Sequence, residues 1–123
     1  MPSKARRVLI CDDDPLMRKL LGKLLGMMGC EVVGEGEDGN EGVKLFKQHQ
    51  PDLTLMDINM PGKNGVDALG EIMKTNAYTA VVMLSAMEDT VIAESCLHKG
   101  AVGYIRKGTD MAALQLALQE YVA

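Results

Sequence analysis

Three consecutive carboxylates, Asp12, Asp13 and Asp14, follow the short apolar run at residues 8–11. A fourth, Asp57, ends the run at 53–56; Ser85 follows the run at 81–84, and Arg106 and Lys107 follow the run at 102–105. Carboxylates gathered at one spot oppose one another's ionisation unless a cation is present. All-oxygen ligands suit a hard ion, and Mg²⁺ typically takes one or two carboxylates, keeps several waters and engages phosphate. A lysine from another segment adds a second positive charge. Such a set is suited to placing a phosphoryl group, where catalysis is mostly positioning and charge neutralisation. Singly, each residue has a plainer role: an Asp after a strand is a cap or turn residue, a Lys a solvated surface residue. Asp14, just before Pro15, reads as a helix N-cap.

The chemistry is specific only if the chain brings those segment ends together. Runs rich in Val, Ile and Leu at 8–11, around 32–33, and at 53–56, 81–84 and 102–105 read as buried strands. Between them lie segments of helical periodicity. Leu16, Leu20, Leu24 and Met28 form one stripe, and Val43 and Phe46 mark a second helix. Val66, Leu69, Ile72 and Met73 mark a third; Val91, Ile92, Cys96 and Leu97 a fourth; Leu114, Leu118 and Tyr121 a fifth. Gly29 and Gly100 stand where helices end, Pro51 separates the second helix from the third strand, and Thr109 or Asp110 can cap the last helix. The order is βα repeated five times, which predicts an α/β fold, a five-stranded parallel sheet with helices on both faces. Alternation alone leaves the strand order open, and the flavodoxin-like order 2-1-3-4-5 is the expected one. In such sheets ligands bind beyond the carboxyl ends of the strands, where the acids, the hydroxyl and the lysine collect.

Bulk properties narrow the class. At 123 residues the chain fits one domain, residues 1–123, large enough to bury a core without a disulfide or structural metal. The net charge of −4 argues against direct nucleic-acid binding, which favours a basic surface. No apolar run is long enough for a membrane span, and the basic start leads into no signal-peptide core. The three cysteines, Cys11, Cys30 and Cys96, are widely spaced and read as buried free thiols of a cytoplasmic protein. Residues 34–42, rich in glycine and acids, read as the loop and cap before the second helix. His49 and His98 read as surface residues near helix C-termini.

The residues also resemble the response-regulator receiver family of two-component signalling over essentially the whole chain. Val8-Leu9-Ile10-Cys11-Asp12-Asp13-Asp14-Pro15 looks like that family's opening strand and acidic pair. Pro51-Asp52-Leu53-Thr54-Leu55-Met56-Asp57-Ile58-Asn59-Met60-Pro61-Gly62-Lys63-Asn64-Gly65 looks like its phosphoacceptor strand and following loop. Leu84-Ser85-Ala86 looks like its hydroxyl switch, and Gly100-Ala101-Val102-Gly103-Tyr104-Ile105-Arg106-Lys107 like its last strand. The resemblance implies that Asp57 accepts a phosphoryl group from a phosphohistidine on a sensor histidine kinase or histidine phosphotransfer protein. It implies Mg²⁺ held by Asp13 and Asp57 directly, by Asp12 through water and by the backbone carbonyl of Asn59. Lys107 would pair with Asp57 and then with the phosphoryl oxygens; Ser85 and Tyr104 would be the switch residues. The face of helix four, strand five and helix five would change shape, for a downstream effector, an output domain beyond residue 123 or a second copy. Helix five is polar only at Gln115, Gln119 and Glu120 between Met111 and Val122; either Ala112, Ala113 and Ala117 are simply small enough to be tolerated outside, or that face is a partner or dimer contact. Gly108 stands where many receivers have proline, and a trans peptide is expected there because a cis bond before glycine costs ~2.5–4 kcal/mol. Met87, two beyond Ser85, is a poor acceptor for the hydrolytic water, so a long-lived phosphoryl group is expected.

Two other functions fit parts of this pattern. An aspartyl-nucleophile phosphohydrolase also uses a carboxylate, Mg²⁺ and lysine, but carries Asp-x-Asp where this chain has Asp57-Ile58-Asn59, and a cap insertion that is missing here. A non-phosphorylated receiver-like scaffold would not need Asp12, Asp13, Asp57, Ser85 and Lys107 together. The expected protein is a signalling phosphoacceptor with intrinsic autophosphorylation and autodephosphorylation chemistry rather than an enzyme.

Overall fold

The computed structural model describes residues 5–108 and 110–122, apart from the side chain of Met87. Five strands, β1 (Arg7–Cys11), β2 (Glu31–Gly36), β3 (Leu53–Asp57), β4 (Ala80–Ser85) and β5 (Gly103–Arg106), alternate with five helices. These are α1 (Pro15–Met27), α2 (Gly39–His49), α3 (Gly65–Thr75), α4 (Thr90–His98) and α5 (Met111–Val122), with a 3-10 turn at Met87–Asp89 ahead of α4. All pairings are parallel, as the βα alternation predicts, and the order is β2-β1-β3-β4-β5, the flavodoxin-like order expected.

Successive strand residues face opposite sides, and both sides are covered. Leu9, Cys11, Met56, Val81 and Met83 pack with Phe46 of α2, Leu69 and Ile72 of α3 and Cys96 of α4. Val8, Ile10, Leu55, Val82 and Leu84 pack with Leu21, Leu24 and Leu25 of α1 and Leu114 and Leu118 of α5. Double burial is why β1, β3 and β4 are continuous apolar runs rather than alternating ones, and each fully buried Leu or Ile contributes roughly 1.5–3 kcal/mol. The starts of α1, α2, α3 and α5 are capped by side chains: Asp14 Oδ1 accepts from the Leu16 N–H at 2.9 Å, Asp38 from Glu41 at 2.8 Å, Asn64 from Asp67 at 2.9 Å and Asp110 from Ala113 at 2.8 Å. Pro15 takes the first helical position, Gly29 lies at φ 80° beyond α1, and His49 and His98 are the last residues of α2 and α4. The expected alternative cap, Thr109, lies outside the described residues.

The structure corrects five details. The buried face of α1 is Met17, Leu21, Leu24 and Leu25, and Leu16 is 75% exposed. Leucines cover so much of that helix that periodicity leaves its rotation open. In α4 only Ala93 and Cys96 are buried, and Val91, Ile92 and Leu97 face outward, because the helix docks through its small residues. The loop before α2 is shorter than residues 34–42: only Glu37 and the cap, Asp38, lie between the elements, while Gly34 and Gly36 belong to β2 and Gly39 and Gly42 to α2. The glycines let that helix lie close on the sheet, since a Cβ on Gly42 would sit 2.9 Å from Cys11 Sγ. Strand β5 starts at Gly103, one residue later than expected, and Val102 is exposed. Cys11 and Cys96 are buried free thiols, whereas Cys30 is only half-buried.

Candidate functional site

Strand order reverses between β1 and β3, and this opens a crevice beyond their carboxyl ends. Asp57 is the last residue of β3 and Ser85 the last of β4, while Asp12 and Lys107 directly follow β1 and β5. Backbone bonds carry the pairing past the strand ends: Ile58 N–H donates to Leu84 O at 3.1 Å and Lys107 N–H to Ser85 O at 2.9 Å. A cavity of about 540 Å³ opens there, lined among others by Asp13, Asp57, Asn59, Asp89 and Lys107.

Asp12 is fully buried and Asp57 is 4% exposed, while Asp13 stands at the mouth, exposed. One carboxylate oxygen from each of the three lies within 4.8 Å of the others. Lys107 Nζ sits 2.8 Å from Asp12 Oδ2 and 3.1 Å from Asp57 Oδ2. Asp12 Oδ1 accepts the Asp14 N–H at 2.9 Å, and Oδ2 has no hydrogen-bond donor among the described residues beyond the Lys107 ion pair. Burial and then the charge of Asp12 push the Asp57 carboxyl up to about 7, against the pull of Lys107. Burial opposes the Lys107 charge, but its hydrogen bond to Asp12 and the charges of Asp57 and Asp12 outweigh that and raise its pKa. Three carboxylates against one ammonium leave a surplus of negative charge in a largely buried, all-oxygen cluster. That donor set fits a hard divalent cation such as Mg²⁺.

The loops around the cluster are held closely. A Cβ on Gly65 would lie 1.9 Å from the Asp57 carbonyl oxygen, so glycine alone fits where α3 starts against the end of β3. Its N–H donates to Ile58 O at 2.9 Å and closes the intervening loop. Arg18 Nη1 donates to the backbone carbonyl of Asp12 at 2.7 Å, while its Nε and Nη2 lie 3.3 and 3.4 Å from Glu35 and Glu37. The acidic turn is thereby tied to β2. Asn59 Nδ2 donates to Asp89 Oδ2 at 2.6 Å.

The structure therefore brings Asp12, Asp13, Asp57 and Lys107 together and places Asn59 on the same cavity. Ser85, 1% exposed, lies one strand over, and its hydroxyl donates to Ala86 O at 2.9 Å. Tyr104 is half-buried against the core on the α3–α4 side. The peptide before Gly108 is trans, as expected. The side chain of Met87, expected near the water path, lies outside the described residues. Sequence reasoning missed Arg18 and Asp89. Arg18 is one of several basic residues off the apolar stripe of α1, and Asp89 looks like an ordinary cap at the head of α4.

Comparison with known proteins agrees with this geometry. Residues 8–119 match the response regulator receiver domain family. The chain is 39% identical over 102 residues to the chemotaxis protein CheY of Thermotoga maritima, covering 83% of this chain and 85% of that protein. It is 37% identical over 120 residues to the transcriptional regulatory protein PdtaR of Mycobacterium tuberculosis, covering 94% of this chain but 58% of that one; the chain spans little more than half the length of several such relatives. Among solved structures, the response regulator domain of Thermotoga maritima CheB superposes with a TM-score of 0.86 at 33% identity, covering 96% of this chain and 93% of that one. A chain of the CheX-CheY-BeF3-Mg²⁺ complex from Borrelia burgdorferi gives 0.85 at 32% identity, covering 96% of this chain and 90% of that one. With the family match spanning nearly the whole chain, and acids, hydroxyl and lysine converging at the carboxyl edge of a 2-1-3-4-5 sheet, the protein belongs to the response regulator receiver domain family of two-component systems.

Proposed function

We propose that the protein is a phosphoacceptor switch in which Asp57 receives a phosphoryl group from a phosphohistidine of a sensor histidine kinase or histidine phosphotransfer protein. The observation that carries this reading is the buried Asp57 carboxylate, 3.1 Å from the Lys107 ammonium and clustered with Asp12 and Asp13. Asp13 and Asp57 would hold Mg²⁺ directly, Asp12 through water, and Asn59 through its backbone carbonyl. The ion, when bound, neutralises charge on the carboxylates and the phosphoryl oxygens. Asp57 Oδ attacks phosphorus as the bond from phosphorus to the histidine nitrogen breaks, and an acyl phosphate forms. Lys107, freed from the Asp57 ion pair, turns to a phosphoryl oxygen. Ser85 gives up its bond to Ala86 O and donates to another phosphoryl oxygen, and Tyr104 moves into the space behind it.

The outward Val91, Ile92 and Leu97 of α4 and Met111 of α5 support a readout on the α4–β5–α5 face, toward an effector protein, an output domain or a second copy. The CheX-CheY complex noted above supports a protein partner. The acidic net charge supports no direct nucleic-acid contact, and among the described residues no helix is long and apolar enough to cross a membrane. We place this activity in the cytoplasm and regard residues 1–123 as one receiver unit that carries out autophosphorylation and autodephosphorylation.

The test is incubation with acetyl phosphate and Mg²⁺. The expected result is a slowly decaying, acid-stable and base-labile label on Asp57 that does not form when Mg²⁺ is chelated. Multiple turnover without a label would make the protein a phosphohydrolase, and no reaction would make it a scaffold.

A further inference from the structure

Asp89 stands at the N-cap of α4, yet its side chain makes no capping bond. An aspartate there ordinarily accepts a backbone N–H of the first turn. Here the carboxylate, in a residue 8% exposed, instead accepts the amide of Asn59 at 2.6 Å, thirty residues away. The distance is that of a charge-assisted bond. An ionised carboxylate only accepts, so it fixes which arm of the Asn59 amide faces it. Nδ2 is turned to Asp89, and Oδ1, on the other arm of the same planar group, is left as an acceptor. Asn59 and Asp89 line the cavity that also holds Asp57 and Lys107.

We propose that Asp89 is a positioning residue of the phosphoryl site: it forgoes the α4 cap to hold the Asn59 amide in one orientation, with Oδ1 presented to the water that hydrolyses the acyl phosphate. This rests on the phosphoacceptor reading of Asp57. In the step concerned, the water oxygen bonds to phosphorus as the bond from phosphorus to the Asp57 carboxyl oxygen breaks. Asp57 returns as the carboxylate, and the water protons leave with inorganic phosphate. Asn59 Oδ1 accepts a hydrogen bond from that water but takes no proton. Without Asp89 the exposed Asn59 side chain turns freely and the water loses its orientation.

The experiment measures first-order loss of label after charging with acetyl phosphate and Mg²⁺, in wild type, Asp89→Ala, Asp89→Asn, Asn59→Ala and the Asp89→Ala/Asn59→Ala double variant. Urea melts confirm folding, and the side-chain NH₂ resonance of Asn59 is followed by ¹⁵N NMR. Asp89→Ala is expected to lengthen the lifetime about threefold to tenfold, the scale of one oriented hydrogen bond, and to shift the Asn59 resonance to that of a solvated amide. Asp89→Asn, which can still accept from Nδ2, should restore both to within about twofold of wild type, a rescue that a helix-capping role alone would not produce in the resonance. In the Asn59→Ala background, Asp89→Ala should have no further effect on lifetime. Wild-type decay in Asp89→Ala, an undiminished effect of that change without Asn59, or an unmoved resonance would each overturn the proposal. A wild type that takes no label overturns the phosphoacceptor reading itself and the hydrolytic role with it, even where the resonance confirms the Asn59–Asp89 bond.

Discussion

Helix α3 contains two glycines whose replacement by alanine should have opposite signs. At Gly65, its first residue, a Cβ would lie 1.9 Å from the Asp57 carbonyl oxygen and 2.8 Å from its carbon. Non-bonded heavy atoms pack at about 3.5–4.0 Å, so the start of α3 must retreat by more than about 1 Å. That movement breaks the 2.9 Å bond from Gly65 N–H to Ile58 O, worth about 1 kcal/mol, and adds about 1–3 kcal/mol of overpacking. Gly65→Ala should therefore destabilise by about 2–4 kcal/mol. At Gly70, in the same helix, nothing lies within 4 Å of the added Cβ, and alanine should stabilise by about 0.5–1 kcal/mol through helix propensity. Urea melts of both variants should separate by about 2.5–5 kcal/mol at unchanged m-value. The retreat also pulls on the Asp57 carbonyl and the loop bearing Asn59. In a positioned site 1 Å can cost about a hundredfold, so Mg²⁺ affinity should fall at least about tenfold in Gly65→Ala and stay unchanged in Gly70→Ala. A Gly65→Ala protein as stable as wild type with normal Mg²⁺ titration would refute the claim that this contact sets the geometry of the loop.

Asp57→Asn should abolish labelling by acetyl phosphate; retention of a normal label mapping to another residue would sink the assignment. The same variant tests the electrostatics, because a carboxyl raised in the folded state opposes folding once the unfolded chain ionises. Without Mg²⁺ it should be more stable than wild type above about pH 7, with the advantage fading as pH falls toward 4, read from melting temperature against pH. Asp13→Ala should weaken Mg²⁺ binding far more than Asp14→Ala, whereas Asp14→Ala should cost ~1 kcal/mol through the lost cap of α1; paired titrations and urea melts check this. Thr54 Oγ1 in β3 is fully buried with no hydrogen-bond partner among the described residues, so Thr54→Val should stabilise by about 1 kcal/mol, visible as a melting-temperature rise of a few degrees.

Strand and helix order, four of the caps or helix ends (Asp14, Gly29, Gly100, Asp110) and the convergence of Asp12, Asp57, Ser85 and Lys107 on one edge were all legible in the sequence. They depend on local chemistry: doubly buried parallel strands are uninterrupted apolar runs, and βα alternation leaves few ways to arrange them. What was not legible depends on contacts between segments distant in the chain. The rotation of α1 was hidden because leucines cover most of that helix, and only docking on Val8 and Ile10 turns Met17 inward and Leu16 outward. The outward face of α4 was hidden because Ala93 and Cys96 are inconspicuous until the sheet is there to receive them. Gly39 and Gly42 suggested a loop because their purpose, bringing a helix close to Cys11 and the 58–65 loop, lies in another part of the chain. Arg18 on the Asp12 carbonyl and Asp89 on Asn59 are ordinary residues until tertiary structure sets a buried acceptor beside the one and a loop amide beside the other. Local periodicity and turn chemistry determined which residues reach the site; only three-dimensional packing, which chooses one partner among many for each polar group, decided how they are held there.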